Sequence, residues 1–447
     1  MKKLSKFYRC LFLAFPAVLY FSYFPIIALG SNETMNFELS LPLISLVIFD
    51  IISVVLVIAE KKYKKLLNYK WWLLFPIWTA LSVFWSLNTT RAILTAGMLW
   101  AIVVAGLAIV LLKDSVLKNT WKTLKKVIYV SSGIAILWCI VQCILDLVGV
   151  SSDYSLLCAG CTKEMFGFPH PNGFAIEPQF MGNLLLLPAL LSAKDLISSR
   201  NKKSLLLATV FAFGVFLTFS RGAIYAFIIG LVAMAVFRIF VEKKKGAVVI
   251  LPVTILAFVL ALNAQGMMSA FSGLGETYNS GINKVINHLS LGVIDIKAEK
   301  PAEETEKTEN KPIFDGYVAE STDTRVRLTN SALQIWSSDA KIALIGVGVG
   351  GAGQALSDFG LSLPKEIIQN EYASVLLETG AVGFILFIFT IGMAFVVIWK
   401  KSEDKFVIVL LTSYLVTLFF FSGYPNALHI YLLPVMLGIC LQEKRLR

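Results

Sequence analysis

Apolar residues fall in long unbroken stretches along this chain, separated by short polar segments, and they do not alternate with polar ones. A helix needs roughly 20 apolar residues to cross the hydrocarbon core, whereas a membrane barrel shows weak alternating segments of about ten. The pattern predicts twelve helices, over residues 8–29, 39–59, 71–87, 92–112, 127–149, 176–193, 204–219, 222–241, 247–263, 371–399, 406–421 and 427–442. One long polar interruption, 264–370, separates the first nine (1–263) from the last three (371–447). The expected fold class is an all-α integral membrane protein of about 12 transmembrane helices with one large loop.

Composition supports this class. The 447 residues are 57% hydrophobic and 15% charged, with a mean hydropathy of +0.74, more apolar surface than a soluble fold can hide. The net charge of +11 then reads as lysines that hold loops in the cytoplasm rather than as a nucleic-acid surface. Segments 1–9, 60–70, 113–126, 194–203, 238–246, 400–405 and 443–447 carry 28 of the 40 lysines and arginines. The alternate short loops carry three, Arg91, Lys163 and Arg221. This asymmetry predicts both termini inside and the large loop outside the cytoplasmic membrane. The start, Met1-Lys-Lys-Leu-Ser-Lys6, resembles a signal-peptide n-region, but no small-residue cleavage site follows, so a retained first helix is expected. Six scattered cysteines form no disulfide framework; Cys158 and Cys161 are either a local bridge or two thiols. No zinc-type ligand set is present, so no metal is expected.

Against that topology the few outward charges become informative. Arg221, in Leu217-Thr-Phe-Ser-Arg-Gly-Ala223, sits where a turn between two helices leaves almost no loop. Its guanidinium either snorkels to lipid phosphate or forms a planar fork for a phosphate or pyrophosphate ligand, with Gly222 and Ala223 leaving room for close approach. Arg91 closes Leu87-Asn-Thr-Thr-Arg91 at similar depth and is either structural or a second cation for that ligand. Asp50, near the middle of the second span, keeps a proton-coupled transporter open as an alternative. Glu177 follows Phe166-Gly-Phe-Pro-His-Pro-Asn-Gly-Phe-Ala175, an irregular stretch of the kind tolerated where it lines a cavity. His170 and Asn172 lie within it.

In the large loop, 297–312 is charged and nearly without apolar residues, which predicts disorder. After it, Val326, Leu328, Leu333 and Trp336 make an apolar stripe if a helix runs from about 323 to 338. Asp323 or Thr324 would be its N-cap, and Arg325 and Arg327 would occupy its first turn, where an anion is favoured. Gly346–Gly353 lacks the Gly-Lys-Ser/Thr ending of a P-loop and reads as a close-packed turn. Glu371 and Glu378, seven apart, share a helix face.

Taken together, Phe166–Ala175, Ser220-Arg-Gly-Ala223, Arg325-Val-Arg327 with Ala332-Leu333, Ile345-Gly-Val-Gly348, and Gln369-Asn-Glu-Tyr372 leading to Glu378-Thr-Gly380 resemble, in order and placement, the O-antigen ligase and O-antigen polymerase superfamily. The resemblance spans roughly 165–385. It implies a GT-C-like membrane glycosyltransferase whose donor is an oligosaccharide on polyprenyl pyrophosphate, a lipid carrier rather than a cofactor. It also implies lipid-linked donor and acceptor as substrates, with a flippase and a chain-length regulator as partners. In that family a helix arginine and a loop arginine bind the donor pyrophosphate. Arg221 matches the first and Arg327, ahead of Arg325, the second. His170, Asn172, Glu177, Asn370 and Tyr372 would line the substrate. The family's loop motif often reads His-Asn-x-Tyr, and here Gln369 stands in place of the histidine, which favours polymerase over ligase and leaves Glu371 and Glu177 as candidate bases. The alternatives are ligase-type transfer to a lipid or protein, and a transporter or flippase.

Overall fold

The computed structural model describes residues 2–22, 25–31, 36–148, 170–175, 177–241, 248–271, 277–290, 294, 313–364, 366–401 and 405–420. In chain order, α1 (Lys2–Val18) is followed by two strands, β1 (Pro25–Ser31) and β2 (Asn36–Ser40), and then by α2 (Leu41–Ala59), α3 (Lys70–Ser82), α4 (Thr89–Leu112) and α5 (Trp121–Leu147). Next come α6 (Pro178–Ser199), α7 (Lys202–Leu217), α8 (Arg221–Val236), α9 (Ile250–Phe271), α10 (Tyr278–Leu289) and α11 (Ile313–Ser338). The short helices α12 (Ala340–Ile345) and α13 (Ala352–Asp358) lead to α14 (Glu371–Lys401) and α15 (Phe406–Thr417).

Eight of these helices are long and apolar enough to cross a membrane. Three of the twelve expected spans, 71–87, 204–219 and 406–421, correspond to α3, α7 and α15, which are 13, 16 and 12 residues long. The twelfth, 427–442, and the stretches 151–169 and 297–312, with Cys158 and Cys161, lie outside the described residues. The all-α expectation needs one amendment: β1 and β2 pair antiparallel where the first span was drawn out to residue 29. A run of apolar residues short of a full helix is ambiguous between the two periods.

The chain divides into two compact units, Met1–Ser131 with Arg327–Arg447, and Ser132–Val326. In the second, α6 is the centre: every residue from Pro178 to Ala193 is buried. A helix apolar all round can be satisfied only by being enclosed on every side. At Gly182 the approach is so close that a Cβ would lie 2.5 Å from Ala223 Cβ at the start of α8. The space at Ala223 that suggested ligand access is therefore filled by α6.

The large loop is more helical than its polarity suggested. α9 runs eight residues past the expected boundary at 263. α10 packs back along it, tied by a Tyr278–Asn263 hydrogen bond, and its end is held by Tyr225, whose hydroxyl donates to the Leu289 carbonyl at 2.6 Å. α11 begins at Ile313, ten residues before the expected N-cap. Arg325 and Arg327 are thus mid-helix, and the first-turn argument for an anion at these two residues fails. The phase of its stripe also differs. Leu328, Ala332 and Ile335 are buried, at spacings of four and three, while Val326 and Leu333 are exposed.

In the first unit the glycine segment is the expected close-packed turn. Val347 N–H donates to Leu377 O at 3.0 Å, and Gly348 N–H to Glu378 O at 2.9 Å. Val349 N–H donates to Ser82 Oγ at 3.1 Å, and Ser86 Oγ to Val349 O at 2.9 Å.

Candidate functional site

The site is built around the turn that joins α7 to α8. Phe219 there has φ +45°, a left-handed conformation that costs a bulky side chain on the order of 1–2 kcal/mol. It directs the Phe219 carbonyl at an imidazole: His288 Nε2 lies 3.2 Å from that oxygen. His170 also hydrogen-bonds the Phe219 backbone. The two imidazoles meet edge to face, with centroids 5.5 Å apart and planes at 89°.

Arg221 follows two residues later as the first helical residue of α8, with Ser220 as N-cap. It is buried, so snorkelling to lipid does not describe it. A cation at a helix N-terminus opposes the helix dipole, and both the dipole and the guanidinium favour an anion beside them. The argument expected for Arg325 and Arg327 therefore applies to Arg221 instead.

The irregular loop that carries His170 is held by a side-chain network. Gln142 Nε2 donates to Asn172 Oδ1 at 3.0 Å and to Gly173 O at 3.1 Å, and Gly173 N–H donates to Gln142 Oε1 at 2.8 Å. Asn172 in turn donates to Ala175 O at 2.8 Å, and Trp138 stacks on Phe174 at 5.2 Å. Asn172 is thereby committed to shaping the loop that presents His170. Glu177, expected inside a span beginning at 176, is the N-cap residue ahead of α6.

Electrostatics tie these residues together. Burial and then the Arg221 charge push His170 down to about 3, against the hydrogen bond to Phe219. His288 is lowered well below the ordinary histidine value, first by burial, then by His170 and Arg221, with Arg325 adding to the effect. Burial pushes the Glu177 carboxyl up, and the Arg325 charge pulls it down. Arg221 thus acts on both imidazoles, and Arg325 on His288 and on the Glu177 carboxyl. His288 was not foreseen: its only signal in the sequence is that it is one of three histidines, on a helix that the loop's polarity concealed.

The remaining expected residues belong to the first unit and have local partners there. Arg91 N–H donates to Asn88 Oδ1 at 3.0 Å, and its guanidinium reaches Pro364 O at 3.4 Å. Arg327 is exposed and donates to Leu361 O at 2.9 Å. Asn370 caps α14, its Oδ1 accepting from Ala373 N–H at 3.2 Å. Glu371 is buried, its N–H donating to Leu418 O at 2.8 Å. Tyr372 donates to Leu415 O at 2.9 Å and its ring packs at a tilt against Phe419. Gln369 is half-buried just before this helix. Glu378 accepts from Ala352 N–H at 3.4 Å, holding the glycine turn.

Many apolar helices define a multi-spanning membrane protein, and Arg221 lies buried at the start of α8 beside two imidazoles. Residues 205–388 match the family model described as O-antigen ligase, in agreement with the resemblance carried by the order of its motifs. The match contains Arg221, His288, Arg325 and Arg327. No curated protein matches the chain.

Proposed function

We propose that this protein is a membrane glycosyltransferase that polymerises oligosaccharide repeat units carried on polyprenyl pyrophosphate, at the outer face of the cytoplasmic membrane. The observation that carries this reading is Arg221, buried at the N-terminus of α8 and joined by Arg325 in acting on His288. Charge that develops on a departing pyrophosphate is stabilised by preorganised guanidiniums in an enclosed site. An acceptor sugar hydroxyl attacks the anomeric carbon, and the pyrophosphate leaves with the bonding electrons. The guanidiniums supply the charge that a divalent cation supplies elsewhere, so transfer is expected to survive chelation.

Ligase-type transfer of a finished glycan to a lipid or protein acceptor is the second reading, supported by the description of the matching family. Gln369, where the resembling ligase motif has histidine, favours polymerisation. The test is purified protein supplied with lipid-linked repeat units. A polymerase yields a ladder of lengthening products, and a ligase yields product only when a separate acceptor is added. Arg221→Ala should stop transfer while the protein stays in the membrane, and full-length polymer from that variant would end the proposal.

A further inference from the structure

We propose that the segment from Phe359 to Ile367 is a membrane-seating element, its outward side chains resting among the lipids of the outer leaflet. Phe359, Leu363 and Ile367 are all exposed, Leu363 by 71%. Their neighbours Leu356 and Ile368 are buried in the core shared with α11 and α14, and Leu361 packs against it. The segment is thus apolar on both faces. A loop that meets only water has a polar outer face, and large apolar side chains gathered on one exposed segment mark a surface that is covered. Where α11 passes into α12, the exposed residues are instead Ser337, Ser338, Asp339 and Lys341, as water requires.

The depth of the segment decides what covers it. The Arg91 guanidinium reaches the Pro364 carbonyl at 3.4 Å. A Cβ on Gly353, near the start of α13, would lie 2.4 Å from that carbonyl and 3.1 Å from Arg91 Nη1. Pro364 is therefore clamped between α13 and the first turn of α4. α4 has 24 residues, which at about 1.5 Å each makes about 36 Å, against a hydrocarbon core of about 30 Å. Its first turn consequently stands at the level of the headgroups, on the side that the lysine distribution assigns to the outside. Leu94 lies one turn deeper on the face that carries Arg91, and it is exposed, so lipid meets that face just below the clamp. A second attachment lies at the same level: Trp85 Nε1 donates to Ile345 O and Leu87 N–H to Val347 O, both at 3.2 Å. Phe84 and Leu87, flanking Trp85, are exposed as well.

A protein occupant would have to bring a matching apolar surface to this level, whereas acyl chains are already there. The backbone tolerates shallow burial, because the N–H groups of Phe359, Gly360 and Leu361 donate to the carbonyls of Ala355, Ser357 and Leu356. The consequence for activity rests on the glycosyl-transfer reading above. Leu361 supplies the carbonyl to which Arg327 donates, and Gln369 to Tyr372 follow within a few residues. Seating the segment holds these residues at the depth of a pyrophosphate whose polyprenyl chain lies in the bilayer.

The test uses the full-length protein with its native cysteines replaced by serine, in nanodiscs of phosphatidylethanolamine and phosphatidylglycerol. A single nitroxide-labelled cysteine replaces Phe359, Leu363, Ile367, Leu94 or Ser337 in turn. Collision is measured with oxygen, which concentrates among acyl chains, and with a water-soluble nickel chelate. The labels replacing Phe359, Leu363 and Ile367 should collide several-fold more with oxygen, as should the one replacing Leu94, at a depth of about 5–10 Å. The label replacing Ser337 should show the reverse. A chelate preference at Leu363→Cys overturns the proposal. So does shielding from both reagents, which would mean that a partner protein or a second copy covers the segment. Should the cysteine-free chain not fold, benzoylphenylalanine in place of Leu363 in the native chain answers the same question. Photocrosslinking to phospholipid supports the seating, and a yield no higher than with the same probe in place of Ser337 overturns it. Neither readout involves the reaction, so their failure leaves the glycosyl-transfer reading standing, and an absence of transfer activity leaves the seating standing.

Discussion

Gly346 and Gly380 face each other across a contact that admits no side chain on either. A Cβ on Gly346 would lie 2.3 Å from Glu378 O and 2.6 Å from Gly380 N, and one on Gly380 2.4 Å from Leu344 C. Both have positive φ, +76° and +66°, and at Gly380 the path of α14 is locally non-helical. The kink has an identifiable cause, a glycine in a conformation closed to other residues. Gly380→Ala should therefore be unfavourable twice over. The backbone cost alone is about 1–2 kcal/mol, and the clash is with main chain that cannot rotate away. The expected outcome is a lower unfolding temperature and lower yield of folded protein, measured by fluorescence-detected size exclusion after heating. An unchanged profile would mean that α14 straightens without cost.

Arg325 and Arg327 should separate sharply. Arg325 bears on Glu177 and His288, whereas Arg327 is exposed and spent on the Leu361 carbonyl. Arg325→Ala is expected to reduce transfer at least tenfold, a loss of about 1.4 kcal/mol in transition-state stabilisation. Arg327→Ala should cost less than threefold. The readout is initial rate with lipid-linked donor, and the reverse order would restore the preference drawn from motif spacing.

Arg91 should behave as a structural residue. Its guanidinium reaches the Pro364 carbonyl, and its N–H is taken by the Asn88 cap. Arg91→Ala should lower thermal stability by roughly 1 kcal/mol, the usual net value of one such hydrogen bond, while leaving undecaprenyl pyrophosphate affinity at the wild-type value. A selective loss of affinity with stability intact would reassign Arg91 to the donor.

Acid should unfold the protein through its histidines. His170 is pushed down to about 3 when folded, against about 6.5 for an exposed ring. Between those values the unfolded chain binds a proton that the folded chain refuses, so stability rises with pH there. The contribution is fully present above about 6.5 and is lost as pH falls through this window towards 3. His288 is shifted in the same direction. Thermal unfolding of the purified protein from pH 7.5 to 4.5 should show a falling midpoint, and His170→Gln should flatten it. An equal slope in that variant would place the acid sensitivity elsewhere.

The apolar runs and the pairing of lysine-rich with lysine-poor loops are local properties of the chain. They suffice for a helical membrane protein because a long apolar segment has few other ways to satisfy its backbone in lipid. The order of motifs around Arg221 was equally legible, and the matched segment agrees with it. The start of α11 was not. Asp323 and Thr324 look like caps, yet the helix continues upstream to Ile313 through residues of weak apolar character, because local capping preference is worth only about 1 kcal/mol and tertiary context overrides it. With the start misplaced, the arginines and the stripe were given the wrong phase.

The arrangement that matters chemically depends on approach in space. Phe219 in its left-handed turn, His288 returning on α10, and Arg325 acting on that histidine are separated by many residues in sequence. Charge acts through distance and desolvation, and neither is written in the order of the residues. The sequence by itself determined that this is a helical membrane protein with an arginine where a short turn has no need of one. Only the tertiary structure decided that this arginine begins a helix, lies buried, and shares its site with two imidazoles held uncharged.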